Sequence, residues 1–554
     1  MSNVEAGAVT DDTASFGKAL ARVGARLATR PLPALQWATR LTAGVAAAGA
    51  QSAARALGWD GQPALAPSPK DRRFSDPAWD AHPWFLAQRQ AYLAWSRCMR
   101  DLPDVAGLEG PDARKAGFAV DLLVDSLAPT NFLWGNPAAL RKAVATRGTS
   151  VVHGLRNLAD DVAENSARPR QVDGSAFEVG ENLACTPGAV VFRNELIEVI
   201  QYAPTTKSVF DVPLLLSPPW INRYYVMDLA PGRSFVEWAV GHGHTTFAIS
   251  YRNPDASMRD VGLDGYLLDG LGTAVDVVRR ITGVDKVNLA GLCVGGTLAV
   301  MLQAWLAGAG EAKVRSATLL NTLVDFSQPG PLAAFTDAEA VARVEARMAE
   351  PGFLDGRDMA TTFDALRPND LIWNYVGSNW LMGETPAAFD ILAWNADATR
   401  IPAATHSQYL RSFYLENQLA SGTMSLAGRP LHLGAVTADT YVLGAKEDHI
   451  TPWASSYATT GLLHNASVRF VLSSAGHIAG IVNPPGPKRI HWINEALAPS
   501  PDEWLGGATQ HAGSWWEDWA GWIGRRAGRR RRPPVMGSAD HPALGPAPGT
   551  YIHE

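Results

Sequence analysis

The chain has 554 residues, 47 % of them hydrophobic and 18 % charged, with a formal net charge of -6. The length is too great for one ordinary domain, the apolar fraction excludes global disorder, and the negative balance excludes a general nucleic-acid binder, which needs a basic face. Three cysteines, Cys98, Cys185 and Cys293, are scattered and odd in number, so they read neither as a disulfide framework nor as a metal box. A reducing cytoplasm is the expected home.

Residues 1–70 are rich in Ala and Arg and end in the Pro-rich run QPALAPSPK, which predicts a mobile or peripheral arm. Within it Lys18, Arg22, Arg26 and Arg30 recur every four residues, with Phe16, Leu20, Val23 and Leu27 beside them. That is a basic amphipathic helix, either adsorbed on an anionic or apolar surface or simply solvated on its charged face. The small-residue run Leu41–Ala50 is read as part of an Ala-rich helix, and no stretch is long and apolar enough to cross a bilayer. Residues 71–190 read as a mostly helical domain with aromatic anchors Trp79, Trp84, Phe85 and Trp95.

From about residue 191 short apolar runs alternate with helical stretches. VPLLLS (212–217), HTTFAIS (244–250), KVNLAG (286–291), SATLLNT (316–322), DTYVLGA (439–445) and VRFVLSS (468–474) read as strands. Continuous apolar strands separated by helices predict an α/β catalytic domain over 191–505, with a parallel sheet covered on both faces. The alternation breaks over 327–435, a helical, aromatic-rich insertion placed where a cap over an active site would lie. Residues 506–554 read as a C-terminal tail, Trp-rich (SWWEDWAGWIG) and then Arg-rich (RRAGRRRRPP), with the Arg run solvated.

The sharpest signal is Gly291-Leu292-Cys293-Val294-Gly295-Gly296, directly after the strand KVNLA. A G-x-nucleophile-x-G turn between strand and helix is a nucleophile elbow, the mark of an α/β-hydrolase fold. Gly291, Gly295 and Gly296 leave room for the tight turn. The following helix N-terminus favours a thiolate at Cys293. The competing reading is a buried structural cysteine in a Gly-rich turn. Partners decide between them. An elbow nucleophile needs an acid and then a histidine later in the chain, at C-terminal strand ends. Asp448 follows DTYVLGA and His477 follows VRFVLSS, in that order. His449 is a rival base and Glu447 a rival acid. The expected oxyanion donors are the backbone N–H of Val294 and one from Pro218-Pro219-Trp220-Ile221-Asn222; the prolines have none, which leaves Trp220 or Ile221, with Ile221 chosen. Metal, Walker and Rossmann motifs are lacking, so no cofactor is expected.

GLCVGG (291–296), PPWINRYYVMDL (218–229), FAISYRNPD (247–255), EDHITPW (447–453) and GHIAGIVNPP (476–485) together resemble the polyhydroxyalkanoate synthases. The resemblance extends to DRRFSDPAW (71–79), NLACTPGAVVFRNELIEVIQYAPTT (182–206), NDLIWNYV (369–376), GSWW (513–516) and PAPGTYI (546–552). It implies a Cys293, Asp448, His477 triad, an (R)-3-hydroxyacyl-CoA substrate, a polyester product, a homodimer and association with polyester granules. The long N-terminal region, Val294 and Ala479 resemble class I members, which imply short-chain monomers such as 3-hydroxybutyryl-CoA and no obligatory second synthase subunit. Leu292 departs from class I, where an aromatic residue is common. Two other activities share these features. One is a cysteine hydrolase of esters or thioesters, and the other is a granule-surface binding protein without activity.

Overall fold

The computed structural model describes residues 3–58 and 64–554, with side chains of the first helix from residue 15 onward. The chain forms two compact units, Met1–Asp173 with Thr361–Ala388, and Gly174–Ala360 with Phe389–Glu554. The segment expected as one cap over 327–435 is therefore divided, its middle belonging to the first unit.

The first unit is helical. Its main helices are α1 (Asn3–Ala28), α2 (Pro31–Ala56), α3 (Pro83–Arg100), α4 (Gly110–Ser126) and α5 (Thr149–Glu164). Proline near the start of α2, α3 and α4 sets the entry dihedral where no N–H partner is needed. The segment expected as a mobile arm supplies α1 and α2. Ala19 and Val23 of α1 are buried with Leu102, Ala106 and Ala116, and Arg22 pairs with Asp112 of α4. The apolar stripe is thus covered by this unit's own core, because burying it there removes it from water at no cost in solubility. α2 runs along α3, close enough that a Cβ on Gly44 would lie 3.0 Å from Ala94 Cβ. The Pro-rich end of this segment begins within 59–63, outside the described residues. Phe74, Trp79, Phe85, Tyr92, Val120 and Val124 form the centre of the unit. The inserted segment 361–388 is held by Asp364, which pairs with Arg168, and by Asn379, whose amide donates to the Arg170 carbonyl at 2.7 Å.

The second unit is built on an eleven-stranded sheet. In chain order its strands are β1 (Gly188–Arg193), β2 (Ile197–Tyr202), β3 (Leu214–Ser217), β4 (Thr246–Tyr251), β5 (Val287–Leu292), β6 (Val314–Leu320), β7 (Asp439–Ala445), β8 (Val468–Ser473), β9 (Ile490–Ile493), β10 (Thr509–Ala512) and β11 (Gly545–Pro546). The order across the sheet is β10-β9-β8-β7-β6-β5-β3-β4-β2-β1-β11. The run from β4 to β8 is parallel and the flanking pairs are antiparallel. β3, β4 and β5 are buried along their whole length, as strands covered on both faces must be.

The expected tail is part of this unit. Helix α8 (Trp515–Gly524) starts at a capping box of Ser514 and Glu517. Its Trp515, Trp516 and Trp519 are essentially inaccessible and pack on Phe235. The Arg run is solvated as expected at Arg525, Arg529, Arg530 and Arg532, yet it is also tied to the unit: Arg526 pairs with Asp439 at 2.8 Å, Arg530 lies 3.9 Å over the Phe210 ring, and Arg531 donates to the Thr282 carbonyl at 3.0 Å. Four large indoles in ten residues cannot stay in water when a core is within reach. Among the described residues no helix is long and apolar enough to cross a membrane.

Candidate active site

Cys293 sits between β5 and the helix α6 (Val294–Gly308) with φ 51° and ψ −122°. A non-glycine residue held in that region is strained, and strain of this kind persists only where surrounding packing enforces it. The packing is visible at the glycines. A Cβ on Gly291 would lie 2.5 Å from Gly296 Cα, one on Gly295 2.2 Å from the Ser217 carbonyl oxygen, and one on Gly296 2.0 Å from Thr322 Oγ1. All three clash, so the turn as built admits no side chain at these positions. Cys293 itself is half-buried and its N–H donates to the Leu320 carbonyl at 2.9 Å.

Asp448 lies just beyond β7, and His477 opens the short helix α7 (His477–Ile481) just beyond β8. Parallel pairing of β7 with β8 brings the two loops together. His477 Nδ1 lies 2.7 Å from Asp448 Oδ2. The ring held by Asp448 is therefore that of His477, and the acid facing it is Asp448, not Glu447. Asn321, at the end of β6, donates to the His477 carbonyl at 2.7 Å and fixes the start of α7. Burial alone would lower the His477 pKa, but the Asp448 carboxylate and the Cys293 sulfur raise it, to about 10. With Nδ1 engaged by Asp448, Nε2 is left for the sulfur. Burial opposes the Asp448 charge, yet His477 and the N–H and O–H of Thr451 hold its carboxyl below the usual carboxylate range. By contrast, burial and Asp101 push the Cys98 thiol up, and burial and Asp228 push up that of Cys185.

The loop leaving β3 runs beside the elbow, because Ser217 is in register with Gly291. Among the described residues the backbone N–H groups of Val294, at the start of α6, and of Ile221 donate to no backbone carbonyl. Arg223 anchors this loop, donating to Asp397 at 3.1 Å and to the carbonyls of Tyr551 at 3.1 Å and Glu554 at 2.6 Å. The last residues of the chain thus brace the expected oxyanion loop.

Three groups near the site escape sequence reading. Thr451 donates its hydroxyl to Asp448 Oδ2 at 2.8 Å. Tyr409 is buried and Tyr414 half-buried, with hydroxyls 3.4 Å apart, and desolvation together with the nearby Cys293 charge raises both phenols. The Asp-x-x-Thr spacing is a signal for the first, since such side chains close local turns. Nothing local marks the tyrosines.

A mixed sheet with a buried parallel centre and a strained cysteine at its nucleophile elbow defines an α/β-hydrolase fold with an inserted cap region and a helical N-terminal domain. Residues 220–484 match the family model described as alpha/beta hydrolase fold, and residues 70–239 match that of the poly-beta-hydroxybutyrate polymerase (PhaC) N-terminus. The chain is 42 % identical to a poly(3-hydroxyalkanoate) polymerase of Methylorubrum extorquens, over 97 % of this chain and 89 % of the relative. It is 44 % identical to the Cupriavidus necator poly(3-hydroxyalkanoate) polymerase subunit PhaC, over 87 % and 83 %. With poly(3-hydroxyalkanoate) polymerase 2 of Ectopseudomonas oleovorans the identity is 43 %, over 89 % and 88 %. The chain belongs to the poly(3-hydroxyalkanoate) polymerase family and is an enzyme of the transferase class.

Proposed function

We propose that the chain polymerises (R)-3-hydroxyacyl-CoA thioesters into polyhydroxyalkanoate with release of CoA, by covalent catalysis at Cys293. The observation that carries this reading is a cysteine at a strained elbow, within electrostatic and hydrogen-bonding reach of a histidine already paired to a buried aspartate. His477 takes the Cys293 proton, and its imidazolium lies between the Asp448 carboxylate and the thiolate. The thiolate attacks the acyl-CoA carbonyl. The resulting oxyanion is met by the N–H groups of Val294 and Ile221, the C–S bond to CoA breaks, and CoA takes the proton from His477 and leaves as the thiol, which returns His477 to its neutral form. The acyl group now carries a free 3-hydroxyl. Deprotonated by the neutral His477 of the His477–Asp448 pair, it attacks another acyl thioester; the C–S bond of that thioester breaks as the ester bond of the growing chain forms, and the departing thiolate takes the proton back from His477. The aromatic wall of buried Tyr409 and Trp220 with half-buried Tyr414 supports this reading, since a site that excludes water favours the hydroxyl over hydrolysis.

The monomer is short-chain and no second synthase subunit is required. The support is resemblance: Val294 in the box and the long N-terminal region. The enzyme works in the cytoplasm as a homodimer and moves to granule surfaces as insoluble product accumulates. The test is the chain purified alone with 3-hydroxyacyl-CoA substrates of four to ten carbons. CoA release with insoluble polymer, fastest for four- and five-carbon monomers, is the expected result. A methylene in a pocket is worth about 10- to 200-fold, so the preference is graded. CoA release with free acid identifies a hydrolase, and no release identifies a binding protein. A strict need for a second protein, or faster use of eight- and ten-carbon monomers, overturns the short-chain, single-subunit reading.

A further inference from the structure

We propose that Thr451 is a positioning residue of this site, its hydroxyl locking the Asp448 carboxylate and the His477 ring into one plane. The inference rests on the catalytic reading of the triad above. Asp448 is buried, and its carboxylate has four directions in which it accepts hydrogen bonds. All four are filled. Oδ1 takes the N–H groups of Ile450 and Thr451, each at 2.9 Å. Oδ2 takes His477 Nδ1 at 2.7 Å and the Thr451 hydroxyl at 2.8 Å. Two of the four donors therefore belong to Thr451.

The hydroxyl has a second contact. Thr451 Oγ1 also lies 3.2 Å from His477 Nδ1. Its one proton points to Oδ2, so a lone pair faces the imidazole N–H, which is shared between the carboxylate and the hydroxyl. Carboxylate, hydroxyl and ring edge form a closed triangle. Both contacts fall on Nδ1, so turning the ring about its bond to Cβ breaks the two together, and Nε2 stays aimed at the sulfur. Thr451 is 4 % exposed and is held there by its own N–H to Oδ1, so the hydroxyl is placed by backbone and side chain together. The methyl group restricts the side chain further, as for any β-branched residue.

Removing the hydroxyl has a predictable electrical effect. The titratable groups that act on the pair are each other, from the loops after β7 and β8, and Cys293 from the elbow. Tyr409 and Tyr414 sense the same sulfur and stay protonated. Without the Thr451 hydroxyl, Asp448 keeps its charge with one donor fewer and so takes a proton more readily. The acid limb of acylation then moves to higher pH.

The experiment compares wild type with Thr451→Val, which keeps shape and loses the hydroxyl, and Thr451→Ser, which keeps the hydroxyl. Single-turnover acylation by 3-hydroxybutyryl-CoA is followed as CoA release across pH, alongside thermal unfolding and the KM for the thioester. Thr451→Val is expected to acylate about 10- to 100-fold more slowly, the range of one hydrogen bond to a charged group, with the acid limb shifted up by about one unit. KM stays unchanged, because Thr451 does not touch the substrate in this reading, and Thr451→Ser stays within a few-fold of wild type. Should Thr451→Val fail to fold, Thr451→Ala is read in the same way. An unshifted acid limb with a rate within two-fold of wild type overturns the proposal. Equal slowing in the Val and Ser variants overturns it too, since packing alone is then at stake. His477→Gln is run beside them: if that variant acylates normally, the triad itself is refuted, an outcome separate from the failure of Thr451.

Discussion

Gly295→Ala is the sharpest test of the elbow, since it adds one methyl group and touches no reacting atom. The new Cβ would lie 2.2 Å from the Ser217 carbonyl oxygen, 2.5 Å from that of Pro218 and 2.7 Å from the Pro218 carbonyl carbon. All three are backbone atoms, so no flexible side chain can swing aside. Ordinary contact begins near 3.4 Å, so the elbow and the loop after β3 must part by about 1 Å. That loop carries Trp220 and Ile221, so the separation moves the expected oxyanion donor away from Cys293. A misplacement of that size costs about 10²-fold in rate. Overpacking in a closed core costs about 1–3 kcal/mol of stability. CoA release at saturating 3-hydroxybutyryl-CoA and chemical unfolding measure the two effects separately. Gly461→Ala is the control, because nothing lies within 4 Å of its Cβ position in the helix Thr459–Leu462. The control is expected to keep full activity. A Gly295→Ala enzyme with more than a tenth of the wild-type rate and unchanged stability would refute the account of the elbow.

Cys293→Ala abolishes CoA release, a fall of several powers of ten as for loss of a triad nucleophile, while Cys98→Ala and Cys185→Ala keep most of it. Near-normal release by Cys293→Ala excludes covalent catalysis at this cysteine. His477→Gln loses acylation itself, whereas Asp448→Asn retains some acylation and stalls in elongation; single-turnover and steady-state rates separate the steps, and equal loss in both for Asp448→Asn assigns Asp448 a purely orienting part. The raised His477 pKa means that the protonated ring stabilises the fold fully below about 6.5, and that this contribution is lost as pH rises toward about 10. Wild type should therefore lose more stability between pH 6 and pH 10 than His477→Gln, measured by urea unfolding, and equal losses contradict the pairing. Trp519→Ala costs about 3–5 kcal/mol, as for a fully buried indole, and a loss below about 1 kcal/mol is incompatible with α8 in the core.

The sequence alone determined the parts that depend on a few consecutive residues. Gly291, Gly295 and Gly296 around Cys293 mark the elbow because tight backbone approach requires glycine there, and that requirement is written locally. Asp448 and His477 were legible for a related reason. Each follows an apolar strand directly, and a parallel sheet delivers all its C-terminal strand ends to one edge. The tertiary structure alone decided what depends on distant partners. Trp515, Trp516 and Trp519 look like a sticky tail until Phe235 and the sheet are placed beneath them. The helix of Ala19 and Val23 looks like a surface arm until Leu102, Ala106 and Ala116 cover it. Residues 361–388 look like part of a cap until Asp364 meets Arg168 and Asn379 meets Arg170. Thr451 and the Tyr409–Tyr414 pair gain meaning only beside Asp448 and Cys293. Periodicity tells which face of a segment is apolar. Which surface buries that face is set by packing between segments that can lie hundreds of residues apart, as Phe235 and Trp515 do.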